Sequence, residues 1–185
     1  MVGVQELRKG NTYIEDNELW RVVEYAHIKT GRGNATIRLK VRNLRSGGSV
    51  EKTYPSGSRV NDIRLDHATV QYLYRDGDLF FFMNTETYEQ PALSAKVLGN
   101  GINFLTDGMM IELESYEGEP ITIELPTTVD LEVVQTDPGY AGDTATNATK
   151  PAMTNTGYQV QVPLFVNIGD KVRVDTRSGE YLTRV

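Results

Sequence analysis

Between His27 and Arg45 the chain carries Lys29, Arg32, Arg38, Lys40, Arg42 and Arg45, with no acidic residue in the stretch. At its centre stands Lys29-Thr30-Gly31-Arg32-Gly33-Asn34, set between two alternating runs. An arginine keeps its charge and can fork onto phosphate or stack on a base. Gly31 and Gly33 on either side allow unusual torsions and close approach of a partner. A basic hairpin with Arg32 at its tip suits docking onto phosphate-rich RNA. A merely solvated surface hairpin is the plainer alternative, and charge pattern alone leaves both open.

Other chemistry is sparse. His27 and His67 lie far apart in sequence and read as structural or solvated rather than catalytic. There is no HExxH, Walker loop, nucleophile elbow or Rossmann fingerprint. With Cys 0, disulfides, thiol nucleophiles and Cys-ligated metals are excluded. The carboxylates between residues 64 and 126 alternate along strands, which reads as a solvent-facing surface rather than an acid/base pair. Phe80-Phe81-Phe82 could offer bases a stacking platform. Three consecutive strand residues must point both ways, however, so core and inter-barrel packing is preferred. Trp20 reads as core.

The elements that must position these residues are strands. Ile37, Leu39 and Val41 alternate with polar neighbours, as do Ile121, Ile123 and Leu125, then Val129, Leu131 and Val133, then Val160 and Val162, then Val172 and Val174. Met110 and Ile111 lead into the alternating Glu112-Leu113-Glu114. Asp76-Gly77, Glu117-Gly118 and Ser178-Gly179 read as hairpin turns. Only Ser94–Leu105 could hold helix, and Gly99-Asn100-Gly101 limits it to a short turn. The expected fold class is all-β, built from small barrels or sandwiches.

Pro126-Thr127-Thr128 and Val60–Leu65 read as joints, dividing the chain into 1–63, 64–126 and 127–185. Tyr116-Glu117-Gly118-Glu119 and Arg177-Ser178-Gly179-Glu180 echo each other, which hints at a repeated fold. The 185 residues, 39% of them apolar, have an ordinary globular composition. The net charge of −6 argues at first against a nucleic-acid partner. Divided among the three segments it becomes +4, −8 and −2, and the hairpin lies in the basic one. The acidic middle would keep much of the surface off RNA and let the basic tip lead. No apolar run approaches the roughly 20 residues of a membrane span. The first residues lack a signal-peptide core, so the cytosol is the expected compartment. Asn34-Ala35-Thr36 and Asn147-Ala148-Thr149 match the glycosylation pattern and read as chance.

Longer motifs narrow the reading. Lys150-Pro151-Ala152 is followed by Gly157, then Val160-Gln161-Val162-Pro163, Val166 and Gly169. Beside these stand Pro138-Gly139, Gly142-Asp143-Thr144 and Asp175-Thr176-Arg177-Ser178-Gly179-Glu180-Tyr181. Gln71-Tyr72-Leu73-Tyr74 with Asp76-Gly77-Asp78, Val50-Glu51-Lys52-Thr53-Tyr54 and the His27–Asn43 hairpin complete the set. Over essentially its whole length the chain resembles the bacterial elongation factor P family.

The resemblance implies an N-terminal SH3-like (KOW-like) barrel and two OB-fold barrels, in an L-shape similar to tRNA. It implies a monomeric, cytoplasmic, non-enzymatic factor with no metal or cofactor and no membrane partner. Its implied partners are the 70S ribosome, rRNA and peptidyl-tRNA, between the peptidyl and exit sites, where the family relieves stalling at consecutive prolines. Arg32 aligns with the family's tip residue, which meets the acceptor end of peptidyl-tRNA. Lys29, Thr30, Gly31, Gly33, Asn34, Arg38, Lys40 and Arg42 form the RNA-binding hairpin around it. Gly142, Asp143 and Thr144 align with an exit-site loop, and Tyr181 and Arg184 with residues facing the small subunit. Many relatives β-lysylate a tip lysine, which Arg32 excludes on chemical grounds. Others rhamnosylate a tip arginine that Asn typically follows. Here Gly33 follows and Asn34 comes one later, so rhamnosylated and unmodified Arg32 both stay open. Rival readings are an elongation-factor-P-like paralogue and a generic OB-fold binder of single-stranded nucleic acid. A hydrolase using the middle segment's carboxylates has no supporting constellation.

Overall fold

The structure is a computed structural model that describes residues 1–29, 33, 35–140 and 148–185. Nearly all of it is antiparallel strand, gathered into three barrel-like sheets, each drawn from one contiguous stretch. The first contains β1 (Val2–Gly3), β2 (Thr12–Glu15), β3 (Glu18–Ile28), β4 (Thr36–Asn43), β5 (Ser49–Pro55) and β6 (Arg59–Ile63). Their spatial order is β1-β6-β2-β3-β4-β5. Val60–Leu65 is thus mostly strand rather than joint, because Val60 is needed in the first core beside Val4, Tyr13, Val22 and Leu39.

The second sheet holds β7 (Asp66–Asp76), β8 (Leu79–Asn84), β9 (Ala92–Ser94), β10 (Met110–Tyr116) and β11 (Glu119–Glu124). The third holds β12 (Thr128–Thr136), β13 (Thr149–Thr154), β14 (Gln159–Pro163), β15 (Lys171–Asp175) and β16 (Tyr181–Arg184). Read from one edge, the orders are β9-β8-β7-β10-β11 and β14-β13-β12-β15-β16, the same topology used twice. The echoed Gly-Glu turns occupy equivalent hairpins, β10–β11 and β15–β16, with Gly118 and Gly179 at φ +81° and +75°. The repetition extends to irregularities. Register shifts fall in β7–β8 and β12–β13, and again in β10–β11 and β15–β16.

Turn chemistry explains the connections. Asp16 and Asn17, at φ 52° and 62°, close the β2–β3 hairpin between the paired Glu15 and Glu18. The β7–β8 turn is Gly77-Asp78 rather than Asp76-Gly77, since Asp76 still pairs with Leu79 and Gly77 supplies the positive φ. Ser94–Leu105 holds more helix than a single turn: α1 (Ala95–Leu98) runs into a 3-10 segment, Gly99–Phe104. Ser94 caps α1 by accepting from the Val97 N–H at 3.3 Å. Phe80 and Phe82 are buried in the middle core, while Phe81 stacks outside on Tyr74 with ring centroids 4.8 Å apart. Among the described residues no helix is long and apolar enough to cross a membrane.

The barrels share cores at their junctions. Leu19 and Leu44 of the first barrel bury against Ile121 of the second, flanked by Ile14, Ile63, Leu65 and Tyr116. Phe104, from the middle segment, sits inside the C-terminal core with Leu131, Val160 and Val172. Each such side chain contributes about 1.5–3 kcal/mol on burial. Polar contacts fix the second junction further: Thr156 Oγ1 donates to the Asn103 carbonyl at 2.7 Å, and Thr176 Oγ1 to the Pro126 carbonyl at 2.7 Å.

Candidate nucleic-acid interface

β3 and β4 form the long basic hairpin that the charge pattern implies. Their pairing runs from Trp20↔Asn43 to Ile28↔Thr36, with a register shift between Val22 and Glu24. Ile37, Leu39 and Val41 point inward and are fully buried, which turns Arg38 and Lys40 outward. The strands therefore end at the base of the tip, and Lys29 and Gly33 are exposed there. Thr30, Gly31, Arg32 and Asn34 lie outside the described residues.

The hairpin cations have partners that a linear reading does not show. Arg38 pairs with Glu51 on β5 at 3.2 Å, and Lys40 with Glu24 on β3 at 3.1 Å. The acids come from the strands on either side, so a stretch without acids becomes locally balanced across the sheet. Both pairs are well exposed and therefore contribute little to stability. They can open when phosphate competes. Lys29 has no ion pair among the described residues.

Arg42 and Arg45 are directed elsewhere. Arg42 Nη2 donates to the Val97 carbonyl of the middle barrel at 2.9 Å, and its Nε to the Gly47 carbonyl at 3.3 Å. Arg45 forks onto Glu119 with its Nη2 2.9 Å from Oε2, and its Nη1 donates to the Asn17 carbonyl at 2.9 Å. Hydrogen bonding to Glu119 holds the Arg45 guanidinium above its usual range. A third arginine, Arg21, donates to Glu114 at 2.7 Å across the same junction.

Glu114 departs from the expected solvent-facing carboxylates of the middle segment, being only 6% exposed. Its strand meets a register shift there, and the first barrel covers it. Sequence patterning gave no sign of this, because Glu112 and Glu114 look alike in an alternating run. His67, Glu114 and Glu124 bring ligand-type atoms within 4.8 Å of one another on adjacent strands. Such a trio could hold a divalent cation, but the Arg21 guanidinium already supplies positive charge to Glu114. His67 is exposed, with Nδ1 3.9 Å from Glu124. His27 is exposed as well.

At the far end, Gly142, Asp143 and Thr144 lie outside the described residues, between β12 and β13 in sequence. The Lys150 side chain is 6% exposed and donates to the Asp137 carbonyl at 2.7 Å. Thr136 Oγ1 donates to the Pro151 carbonyl at 2.9 Å. Gly139 packs where a Cβ would stand 2.2 Å from the Leu164 carbonyl oxygen, so only glycine fits. Tyr181 is half-buried against the C-terminal core. Arg184 lies over the exposed Phe165 ring at 5.2 Å and pairs with Asp170 at 3.5 Å. The structure thus separates the candidate residues into two groups at opposite ends of the sequence: the hairpin on the first barrel, and the Tyr181/Arg184 edge on the third.

Within the first barrel a polar cluster stands behind the hairpin. Tyr13 and Tyr54 share a hydrogen bond of 3.0 Å, and Tyr54 donates to Glu15 at 2.9 Å. Lys52 pairs with Glu15 and lies over the Trp20 ring at 4.2 Å. Burial pushes the Tyr13 phenol up to about 12. Tyr54 is also pushed upward, by burial first and then by its bond to Tyr13. Trp20 is accordingly part of this packing, half-buried under the lysine.

Comparison with known proteins matches each barrel in turn. A profile of the elongation factor P KOW-like domain matches residues 3–60, the elongation factor P OB domain residues 65–123, and the elongation factor P C-terminal domain residues 129–184. The chain is 46% identical over 184 residues to elongation factor P of Symbiobacterium thermophilum, with the whole of both chains covered. It is 45% identical over 184 residues to that of Synechococcus elongatus, again with full coverage of both. Among solved structures it is similar to eukaryotic translation initiation factor 5A from Methanococcus jannaschii. That match has a TM-score of 0.53 and 26% identity, covering 66% of this chain and 90% of the other. The chain belongs to the elongation factor P family of translation factors.

Proposed function

We propose that this protein acts on the ribosome between the peptidyl and exit sites, contacts peptidyl-tRNA and promotes peptide-bond formation at consecutive prolines. The observation that carries the reading is the β3–β4 hairpin, paired out to Ile28↔Thr36 and basic on its outer face, whose two strands are joined in sequence through Gly31-Arg32-Gly33. Family membership over the full length supports it.

Proline is a stiff acceptor, and its ring restricts the geometries available to the growing chain. Peptidyl-tRNA on such a sequence loses productive orientation. A factor that braces its acceptor end restores it, and orientation effects reach about 7–11 kcal/mol in ideal cases. Arg32 braces the acceptor backbone, Lys29 and the outward Arg38 and Lys40 meet RNA, and the Tyr181/Arg184 edge faces the small subunit. Gly142, Asp143 and Thr144 act near the exit-site codon, as their alignment with the family's Gly-Asp-Thr segment suggests. The ribosome does the chemistry in the cytoplasm, and this protein acts without cofactor or catalysis of its own.

The test is synthesis of a peptide with three consecutive prolines in a reconstituted translation system. The Arg32→Ala variant should fold normally and lose the stimulation given by the parent protein. Full stimulation by Arg32→Ala overturns the tip assignment. Cosedimentation with ribosomes carrying peptidyl-tRNA separates this reading from a free single-stranded nucleic-acid binder. The intact mass of protein from its native host shows whether Arg32 carries a group such as rhamnose.

A further inference from the structure

Three arginines cross from the first barrel to the second, and each meets a different kind of partner. Arg45 forks onto the exposed Glu119 at the rim. Arg42 reaches the Val97 carbonyl at the end of α1. Arg21 meets Glu114, whose carboxylate is covered by the junction itself. The rim pair is screened and weak, while the covered pair is different in kind. A buried carboxylate separated from its cation is left uncompensated, so any hinge motion that parts them is strongly opposed. The shared Leu19/Leu44/Ile121 cluster resists separation but slides easily, because apolar contact has no preferred direction. The ion pair has one.

We infer that Arg21 and Glu114 are a positioning pair: by fixing the angle between the first two barrels, they set the aim of the hairpin tip. Arg21 lies on β3, the strand that itself runs out to the tip. Glu114 lies on β10, the strand next to the central strand of the middle sheet. The register ties them to rigid elements on both sides: Arg21 pairs with Arg42 on β4 and Thr12 on β2, and Glu114 pairs with His67 on β7. A small rotation at the junction is carried along the length of β3 to the tip. The inference rests on the proposed function, because it concerns where the tip points on the ribosome.

The test uses the full chain. Because it has no cysteine, single pairs can be introduced for spin labels at exposed Lys9 and Tyr88, on the first and second barrels. The parent should give one narrow distance distribution, and Glu114→Gln a broader one. In the triple-proline assay Glu114→Gln should lower the maximal rate about tenfold, within the roughly hundredfold that a 1 Å misplacement can cost. The factor concentration giving half-maximal rate should stay within about twofold, since the RNA-contacting groups are intact. The swap Arg21→Glu with Glu114→Arg should recover both narrow distances and rate. Arg21→Lys, which keeps the charge but replaces the planar guanidinium that donates through Nη2, serves if the swap does not fold, and should fall between parent and Glu114→Gln. Unchanged distances and rate in a folded Glu114→Gln protein overturn the inference. So does a loss appearing wholly in the half-maximal concentration. If the parent itself fails to stimulate, the functional reading falls, while the label distances still decide whether the pair sets the angle.

Discussion

Gly47 approaches Lys96 so closely that a Cβ on Gly47 would stand 2.4 Å from the Lys96 carbonyl oxygen. The contact joins the loop after β4 to the first turn of α1, beside Arg42 and Val97. Gly47 also holds φ at +74°, which L side chains rarely adopt. Gly47→Ala therefore carries two faults, backbone strain and a backbone clash that no rotamer relieves. It should destabilise the protein by about 1–3 kcal/mol. Gly57→Ala, where nothing lies within 4 Å, is the control and should stay within about 1 kcal/mol of the parent. Denaturant titration of the two variants measures the difference, and equal midpoints would refute the clash.

Tyr13 and Tyr54 predict an alkaline transition. Burial raises the Tyr13 phenol from 10.0 to about 12, and Tyr54 moves the same way. Both favour the neutral form in the folded state. The Tyr13 contribution is complete below the unfolded value near 10 and is lost as pH rises through about 12, and the Tyr54 contribution is lost in the same direction. Ultraviolet titration of tyrosinate should show these two ionising last among the ten tyrosines, together with unfolding. Tyr13→Phe should cost about 0.5–1.5 kcal/mol at neutral pH through the lost hydrogen bond. It should also flatten the alkaline fall in stability, and a curve parallel to the parent's would show that Tyr13 is not responsible.

The sequence carried the strand-built fold well, because inward Val, Ile and Leu at period two leave little choice of face. Apart from the family resemblance, the duplicated barrel shows in the residues only as a four-residue echo, since topology is shared by strand order and not by side chains. The two alternating runs around the basic centre predict a hairpin, and β3 and β4 pair as one, but the acidic partners of its cations are not visible along the chain. Glu24 and Glu51 lie outside the acid-free stretch and become neighbours of Lys40 and Arg38 only through sheet register. Arg42 looked like the next outward cation, yet it turns to the middle barrel because α1 offers it a free end carbonyl. Glu114 had no sequence signal at all. Its burial depends on a strand irregularity and on the first barrel, whose Arg21 is 93 positions away.

Asp175 predicts behaviour in acid. Its carboxylate accepts from Arg177 Nη2 at 2.7 Å and from the Arg177 backbone N–H at 2.8 Å, tying the β15–β16 turn. The hydrogen bond from the Arg177 side chain leads the lowering of its pKa from 3.8 to about 2. A depressed carboxylate contributes stability above its unfolded value, and that contribution is lost as pH falls through the folded one. The window is therefore between about pH 4 and pH 2. Asp175→Asn keeps an acceptor for the backbone but removes the charge. Its melting temperature should fall less steeply across that window than the parent's, as read by circular dichroism. Identical slopes would place the acid sensitivity on another group.

Phe104 joins the middle and C-terminal barrels as a plug. It leaves the 3-10 segment after α1 and enters the C-terminal core, 3% exposed, with its ring 5.2 Å from that of Tyr158 in an edge-on contact. The Thr156 hydroxyl meets the Asn103 carbonyl beside it at 2.7 Å, so the backbone before the ring is held as well. Phe104→Ala removes a large side chain from a site whose walls, Leu131, Val160, Val172 and Val174, belong to a sheet with its own hydrogen bonds. That sheet cannot collapse far to fill the space, so the loss should be near the upper part of the range for such changes, about 3–5 kcal/mol. The loss should fall on the C-terminal barrel first, because the middle barrel retains its separate core around Val70, Phe82 and Ile111. Hydrogen exchange should therefore show β12–β16 opening while β7, β8 and β10 stay protected. Equal loss of protection in both barrels would mean that the two unfold as one unit and that Phe104 supports the pair rather than plugging one into the other.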